Sequence, residues 1–203
     1  MVGGIVLYNI TINDDGTVGD VSKSIPTGTS SSAVTDMDNE RIAYVPGSPG
    51  TLFVSAEAEQ SIKEYDLDGN PTGRSLTIPA DMAVDKISRN KGFESLTYNA
   101  TTDLFWTTTE SELAKDAAKP GLLRLQSFGN DLKAAGRYLY QMDAPSKTSE
   151  EAAAATSYVF GVSALAALDD GRIIVLEREA FVASGSVMEK AMNLFTTCSE
   201  STR

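Results

Sequence analysis

The chain alternates short apolar runs with tight polar turns. "GIVLYNITI", "TLFVSA", "DLFWTTT" and "RIIVLE" have strand length and carry β-branched and aromatic residues. Between such runs fall "NDDGT" at Asn13 to Thr17, "DLDGN" at Asp66 to Asn70 and "LDDGR" at Leu168 to Arg172. Each contains Asp-Gly, whose glycine supplies the positive φ that a tight hairpin needs. The pattern predicts an all-β fold of antiparallel hairpins, with "TLFVSA" pairing with "IKEYDL" and "SALAALDDGRIIVLE" folding back on itself.

These runs recur as a unit. The first copy reads "NERIAYVPGSPGTLFVSAEAEQSIKEYDLDGN", the second "FESLTYNATTDLFWTTTESE" followed by "GLLRLQSFGN", and the third "VSALAALDDGRIIVLERE". In each, an apolar strand, a turn and a second strand lead into acidic residues. Strand units repeated at this spacing with insertions predict the blades of a β-propeller-like array, with a β-sandwich as the competing architecture. Three units are fewer than a closed ring needs, so an incomplete array or a fragment of one is expected, as a single domain over 1–203. The insertions "SELAKDAAKP" (Ser111 to Pro120) and "APSKTSEEAAAATSY" (Ala144 to Tyr158) read as surface loops or short helices.

Charge narrows the chemistry. With 17 Lys and Arg against 28 Asp and Glu, the net charge of −11 repels a phosphate backbone and argues against nucleic acid or an anionic membrane surface. No histidine is present, which excludes Ser-His-Asp and Cys-His nucleophile systems, His-bound zinc and imidazole acid-base steps. For that reason the "GVSAL" at Gly161 to Leu165 is not a nucleophile elbow: nothing can activate Ser163. Cys198 is the only cysteine, so no internal disulfide forms. The opening "MVGGIVLYNI" lacks a basic lead-in, and no run approaches the ~18 apolar residues of a membrane span. A soluble chain without signal peptide or membrane span is expected.

The carboxylates remain. A glutamate stands two residues before the first apolar strand position in two copies, Glu40 before Ile42 and Glu94 before Leu96, while the third copy has Ser163 there. Further acids follow the second strand of each unit: Glu57 and Glu59, Glu110 and Glu112, Glu177 and Glu179. Equivalent positions in a propeller face similar places around its axis, so these groups converge. Convergent carboxylates need a cation or a shared proton, and a hard cation such as Ca²⁺ prefers oxygen ligands. The competing reading has each glutamate solvated at a strand end or paired with a neighbour such as Lys91 or Arg178. "DLDGN" begins like a Ca²⁺ loop but lacks the later bidentate glutamate, and reads as a hairpin turn.

Three segments in order, "TLFVSAEAEQSIKEYDLDGN", "NKGFESLTY" and "VFGVSALAALDDGRIIVLERE", resemble the "esterase-like activity of phytase" family of phytase-like β-propeller proteins, most clearly over 39–182. Ser95 stands where the family's Gly-Phe-Glu-Gly-Leu segment has glycine. The resemblance implies hydrolysis of a phosphoester or phosphodiester in a small phosphorylated substrate, and an extracytoplasmic or secreted location. It makes Glu57, Glu94, Glu177 and Arg178 the acidic and basic motif residues. On this reading Ca²⁺ is held by Glu57, Glu94 and Glu177 with Glu40 beside them. Lys91 and Arg178 supply local positive charge. A non-catalytic propeller that binds a ligand or protein is the alternative.

Overall fold

The structure, a computed structural model, describes residues 7–24, 38–88, 90–185 and 192–198. The start of the first apolar run, Gly4 to Val6, lies outside the described residues, as does the side chain of Cys198. A two-stranded hairpin, β1 (Leu7–Ile12) and β2 (Val18–Ser24), comes first. Then follow β3 (Asn39–Val45), β4 (Thr51–Ala56), β5 (Ser61–Tyr65) and β6 (Pro71–Ser75) in one antiparallel sheet in chain order. A second such sheet holds β7 (Thr97–Asn99), β8 (Leu104–Thr107), β9 (Leu122–Phe128) and β10 (Ala134–Gln141). A third has β11 (Ser157–Ala167), β12 (Ile173–Val182) and β13 (Met192–Cys198). Sequential up-and-down sheets are the blade arrangement predicted from the repeat. Among the described residues no sheet closes into a barrel.

The Asp-Gly turns explain the hairpins. Gly16, Gly69 and Gly171 have φ of 82°, 83° and 88°, where any Cβ is strained. In the middle turn Asp66 accepts from the Asn70 N–H at 2.8 Å, closing β5 onto β6. "DLDGN" is therefore a hairpin turn. The two insertions become loops with short helical turns. Within the second, α1 (Ser149–Ala154) begins at a capping box formed by Thr148 and Glu151.

The core lies between consecutive sheets. Phe53 of the first sheet meets Phe105 of the second with ring centroids 4.5 Å apart, among buried Ala43, Ile62, Phe93 and Leu96. Leu123, Tyr140 and Met142 of the second pack on Val162, Leu165 and Val175 of the third. This face-to-face packing sets β7 beside both β3 and β11, so equivalent positions of the three first strands come together. Among the described residues no helix is long and apolar enough to cross a membrane.

Candidate functional site

The site grows from one irregularity used three times. In the first sheet Asn39 faces Ala56 and Arg41 faces Ser55, so Glu40 is an extra residue in the ladder. In the third, Val162 faces Glu177 and Ala164 faces Leu176, which leaves Ser163 extra. In the second, Phe93 bridges Thr109 while Thr97 faces Trp106, so the stretch holding Glu94 also gains one residue over its partner. A bulge re-aims the side chain it carries and ends regular pairing. Glu40, Glu94 and Ser163 thus stand at equivalent bulges, as their spacing from the first apolar residue predicts.

The same register fixes the second strands. Ala56, Thr109 and Glu177 face the residue before each bulge, so the next positions, Glu57, Glu110 and Arg178, are the equivalent ones. Here the alignment by sequence spacing is off by one: it matches Glu177 with Glu57 and Glu110. Successive strand side chains point to opposite faces, so one residue of slip moves Arg178 in and Glu177 out.

Glu57, Glu94 and Glu110 are all buried, and each offers a carboxylate oxygen within 4.8 Å of the others. Glu57 also groups within that distance with half-buried Glu40 and exposed Asp38. Two glycines permit the approach. A Cβ on Gly161 would lie 2.5 Å from the Glu110 carbonyl oxygen, and one on Gly92 would collide with Gln60 and the Glu57 side chain. The Gly92 backbone acts as well: its N–H donates to Glu57 Oε1 at 2.7 Å, and its carbonyl accepts from the Glu110 N–H at 2.8 Å. Ser95, in the glycine position of the family segment, is held by its hydroxyl, which donates to the Thr108 carbonyl at 3.1 Å and accepts from the Thr108 N–H at 2.9 Å.

Two cations border the carboxylates. Lys91 Nζ and Arg178 Nη2 each lie 2.9 Å from Glu110 Oε1, and Arg178 Nη2 is 3.4 Å from Glu94 Oε2. Arg41 turns instead to the Ser163 and Glu40 carbonyl oxygens. Burial pushes the Glu94 carboxyl up; Arg178 opposes this, while Glu110, Glu40 and Glu57 add to it. Burial also raises Glu40, with Asp38 and Glu57 contributing. Burial pulls the Arg178 guanidinium down, but Glu94 and Glu110 outweigh it and hold it above its ordinary value.

The five carboxylates of Asp38, Glu40, Glu57, Glu94 and Glu110, when ionised, against the cations of Arg41, Lys91 and Arg178 leave an excess of two negative charges at a mostly buried site. Nearby, buried Gln60 Oε1 has no hydrogen-bond partner among the described residues, although Gln60 Nε2 donates to the Glu57 carbonyl at 2.9 Å. An excess of about two negative charges, hard oxygen donors and an orphaned amide oxygen fit a divalent cation.

Glu177 lies outside both acidic groups. Tyr140 Oη donates to its Oε1 at 2.6 Å, and the Asp143 N–H reaches both its oxygens at 3.2 Å. Glu179, on the same face of β12, accepts from the Ser146 N–H at 2.9 Å, the Lys147 N–H at 3.1 Å and Tyr158 Oη at 2.8 Å. The pair fastens the segment that leaves β10. That segment borders a cleft of about 550 Å³ that reaches Lys91, and a smaller hollow of about 120 Å³ that reaches Arg178.

Of the residues singled out in the sequence, Glu57, Glu94, Lys91 and Arg178 come together, Glu40 adjoins them and Glu177 stands apart. Glu110 and, in the outer acidic group, Asp38 are missing from that set, and Glu110 matters more for being buried among the others. The signal for Glu110 was present, since it follows the second strand as Glu57 does. The described sheets and their convergent acidic site define a propeller-type β array. A family model for phytase-like proteins, "Esterase-like activity of phytase", matches residues 5–195, and the chain belongs to that family. No curated protein matches it significantly.

Proposed function

We propose that the protein is a phosphoester or phosphodiester hydrolase that works with a carboxylate-held divalent cation. The observation that carries this reading is the buried group of Glu57, Glu94 and Glu110 with Lys91 and Arg178 at its edge. Glu57, Glu94 and Glu110, with Glu40 beside them, are the ligand set for Ca²⁺. When bound, such a cation neutralises phosphoryl charge and makes water a better nucleophile.

The chain's own groups supply the rest. Lys91 and Arg178 bind and orient phosphoryl oxygens, giving local attraction against the global charge of −11. Arg178 presents a planar fork matched to phosphate geometry. Glu94 takes the proton of the attacking water at a carboxylate oxygen not engaged with the cation. Glu177 acts at one remove, by holding Asp143 and Tyr140.

The test is calorimetric titration with Ca²⁺, followed by hydrolysis of p-nitrophenyl phosphate and bis(p-nitrophenyl) phosphate with Ca²⁺ or with EDTA. Saturable binding and EDTA-sensitive turnover are expected. Binding without turnover of either ester would instead leave a non-catalytic ligand-binding module, and absence of Ca²⁺ binding would remove the cation site.

A further inference from the structure

We propose that the cleft beside the acidic group accepts an aromatic or similarly apolar organic part of a phosphate ester that carries a single phosphoryl group. This rests on the hydrolase reading for where the phosphoryl group sits, and adds what is attached to it. The large cleft is walled by Pro120, Met142, Ala144, Pro145, Tyr158 and Phe160, with Lys91 also in its lining. The smaller hollow shares Asp143, Ala144 and Phe160 with it and includes Arg178. Lys91 lines the large cleft and Arg178 the smaller hollow, and both donate to the same oxygen of Glu110, so each hollow is bordered by one of the two cations at the edge of the acidic group. A phosphoryl group held there directs its ester substituent along the apolar wall.

Size and polarity suit that substituent. A cavity of about 550 Å³ falls within the range of pockets that bury a small organic molecule. Phe160 and Tyr158 offer ring surface, and Met142 adapts to the shape of its neighbour. The wall is also set before any ligand arrives. Tyr158 is tied to Glu179, Asp143 to Glu177, and the Met142 N–H to the Gly121 carbonyl at 2.9 Å. A preformed wall saves the ordering cost of binding.

Charge excludes the other class of substrate. Lys91 and Arg178 are the cations lining the two hollows, and Glu112, Asp143, Glu177 and Glu179 are the acids. A molecule with several phosphates would set its additional groups against those acids, with no further cation among the described residues of the lining to receive them. Discrimination by unpaired or opposed charge is the stronger part of specificity.

Calorimetry on the full chain with saturating Ca²⁺ tests this without needing turnover. The probes are inorganic phosphate, phenyl phosphate and inositol hexakisphosphate, with parent and Ala144→Trp proteins. Ala144 is exposed and lines both hollows, so a tryptophan there fills the cleft without entering the core. Phenyl phosphate is expected to bind about 10-fold tighter than inorganic phosphate, from burial of its ring. Ala144→Trp should abolish that gain, so that phenyl phosphate and inorganic phosphate bind the variant alike. Inositol hexakisphosphate should bind no tighter than inorganic phosphate. The proposal is overturned if phenyl and inorganic phosphate bind equally, if Ala144→Trp weakens both alike, if the hexakisphosphate binds tightest, or if no phosphate compound binds. Tight phenyl phosphate binding without hydrolysis supports the cleft while removing the hydrolase reading, so the two fail separately.

Discussion

Two sets of buried carboxylates in this fold behave in opposite ways. Glu177 and Glu179 are met by donors, five N–H and O–H groups from the stretch between Tyr140 and Tyr158. Glu57, Glu94 and Glu110 are met largely by one another, with Lys91 and Arg178 offsetting part of their charge. Burial raises the pKa of both Glu94 and Glu179, yet only for Glu179 do hydrogen bonds reverse the sign, leaving it below its ordinary value. Depth alone does not mark a functional acid. What marks it is whether the fold already satisfies the charge.

The comparison breaks first, and by the largest margin, on Glu177→Ala. Removing that acceptor leaves the buried Tyr140 hydroxyl and the Asp143 N–H without it, at about 1–3 kcal/mol. Urea unfolding should show a loss of that size with no change in Ca²⁺ affinity beyond what a shifted wall transmits. A loss under about 0.5 kcal/mol would place Glu177 among uninvolved surface groups instead.

Glu94→Gln should do the reverse. It keeps the side chain's size and removes one negative charge, so Ca²⁺ affinity falls by at least about 10-fold while the metal-free fold keeps or gains stability. Equal affinity in parent and variant would end the idea that these acids await a cation.

Smaller effects appear in the pH dependence of the metal-free protein. Glu94 has a raised folded-state pKa, so its contribution is fully present below the unfolded value near 4.5 and is lost as pH rises through the folded value. Glu179 has a lowered one, so its contribution is present above the unfolded value and is lost as pH falls through the folded value. Melting temperatures recorded across mildly acidic pH should therefore lose their upper decline in Glu94→Gln and part of their acid-side decline in Glu179→Gln. Ca²⁺ should flatten the former and leave the latter. The smallest effect is expected for Glu150→Gln on the exposed first turn of α1, within about 0.5 kcal/mol and silent in Ca²⁺ binding.

The sequence by itself determined the strands, the turns and the repeat, because these depend on local chemistry. Asp-Gly at 15–16, 68–69 and 170–171 dictates hairpins through φ alone, and β-branched runs between them have nowhere else to go. It also placed Glu40, Glu57 and Glu94 at recurring positions, and those converge. Only the tertiary structure decided that Arg178 rather than Glu177 joins them. A one-residue bulge between Val162 and Ala164 sets which face each side chain takes, and spacing along the chain does not reveal it. The sequence offered Lys91 and Arg178 as partners for these acids, but only the tertiary structure decided that Lys91 meets Glu110 and that Arg178 meets Glu94, 84 residues away, as well as Glu110. Such contacts arise from sheets stacking face to face. The chain sets each strand's own direction, but the meeting of side chains from different sheets depends on register and packing that no single segment contains.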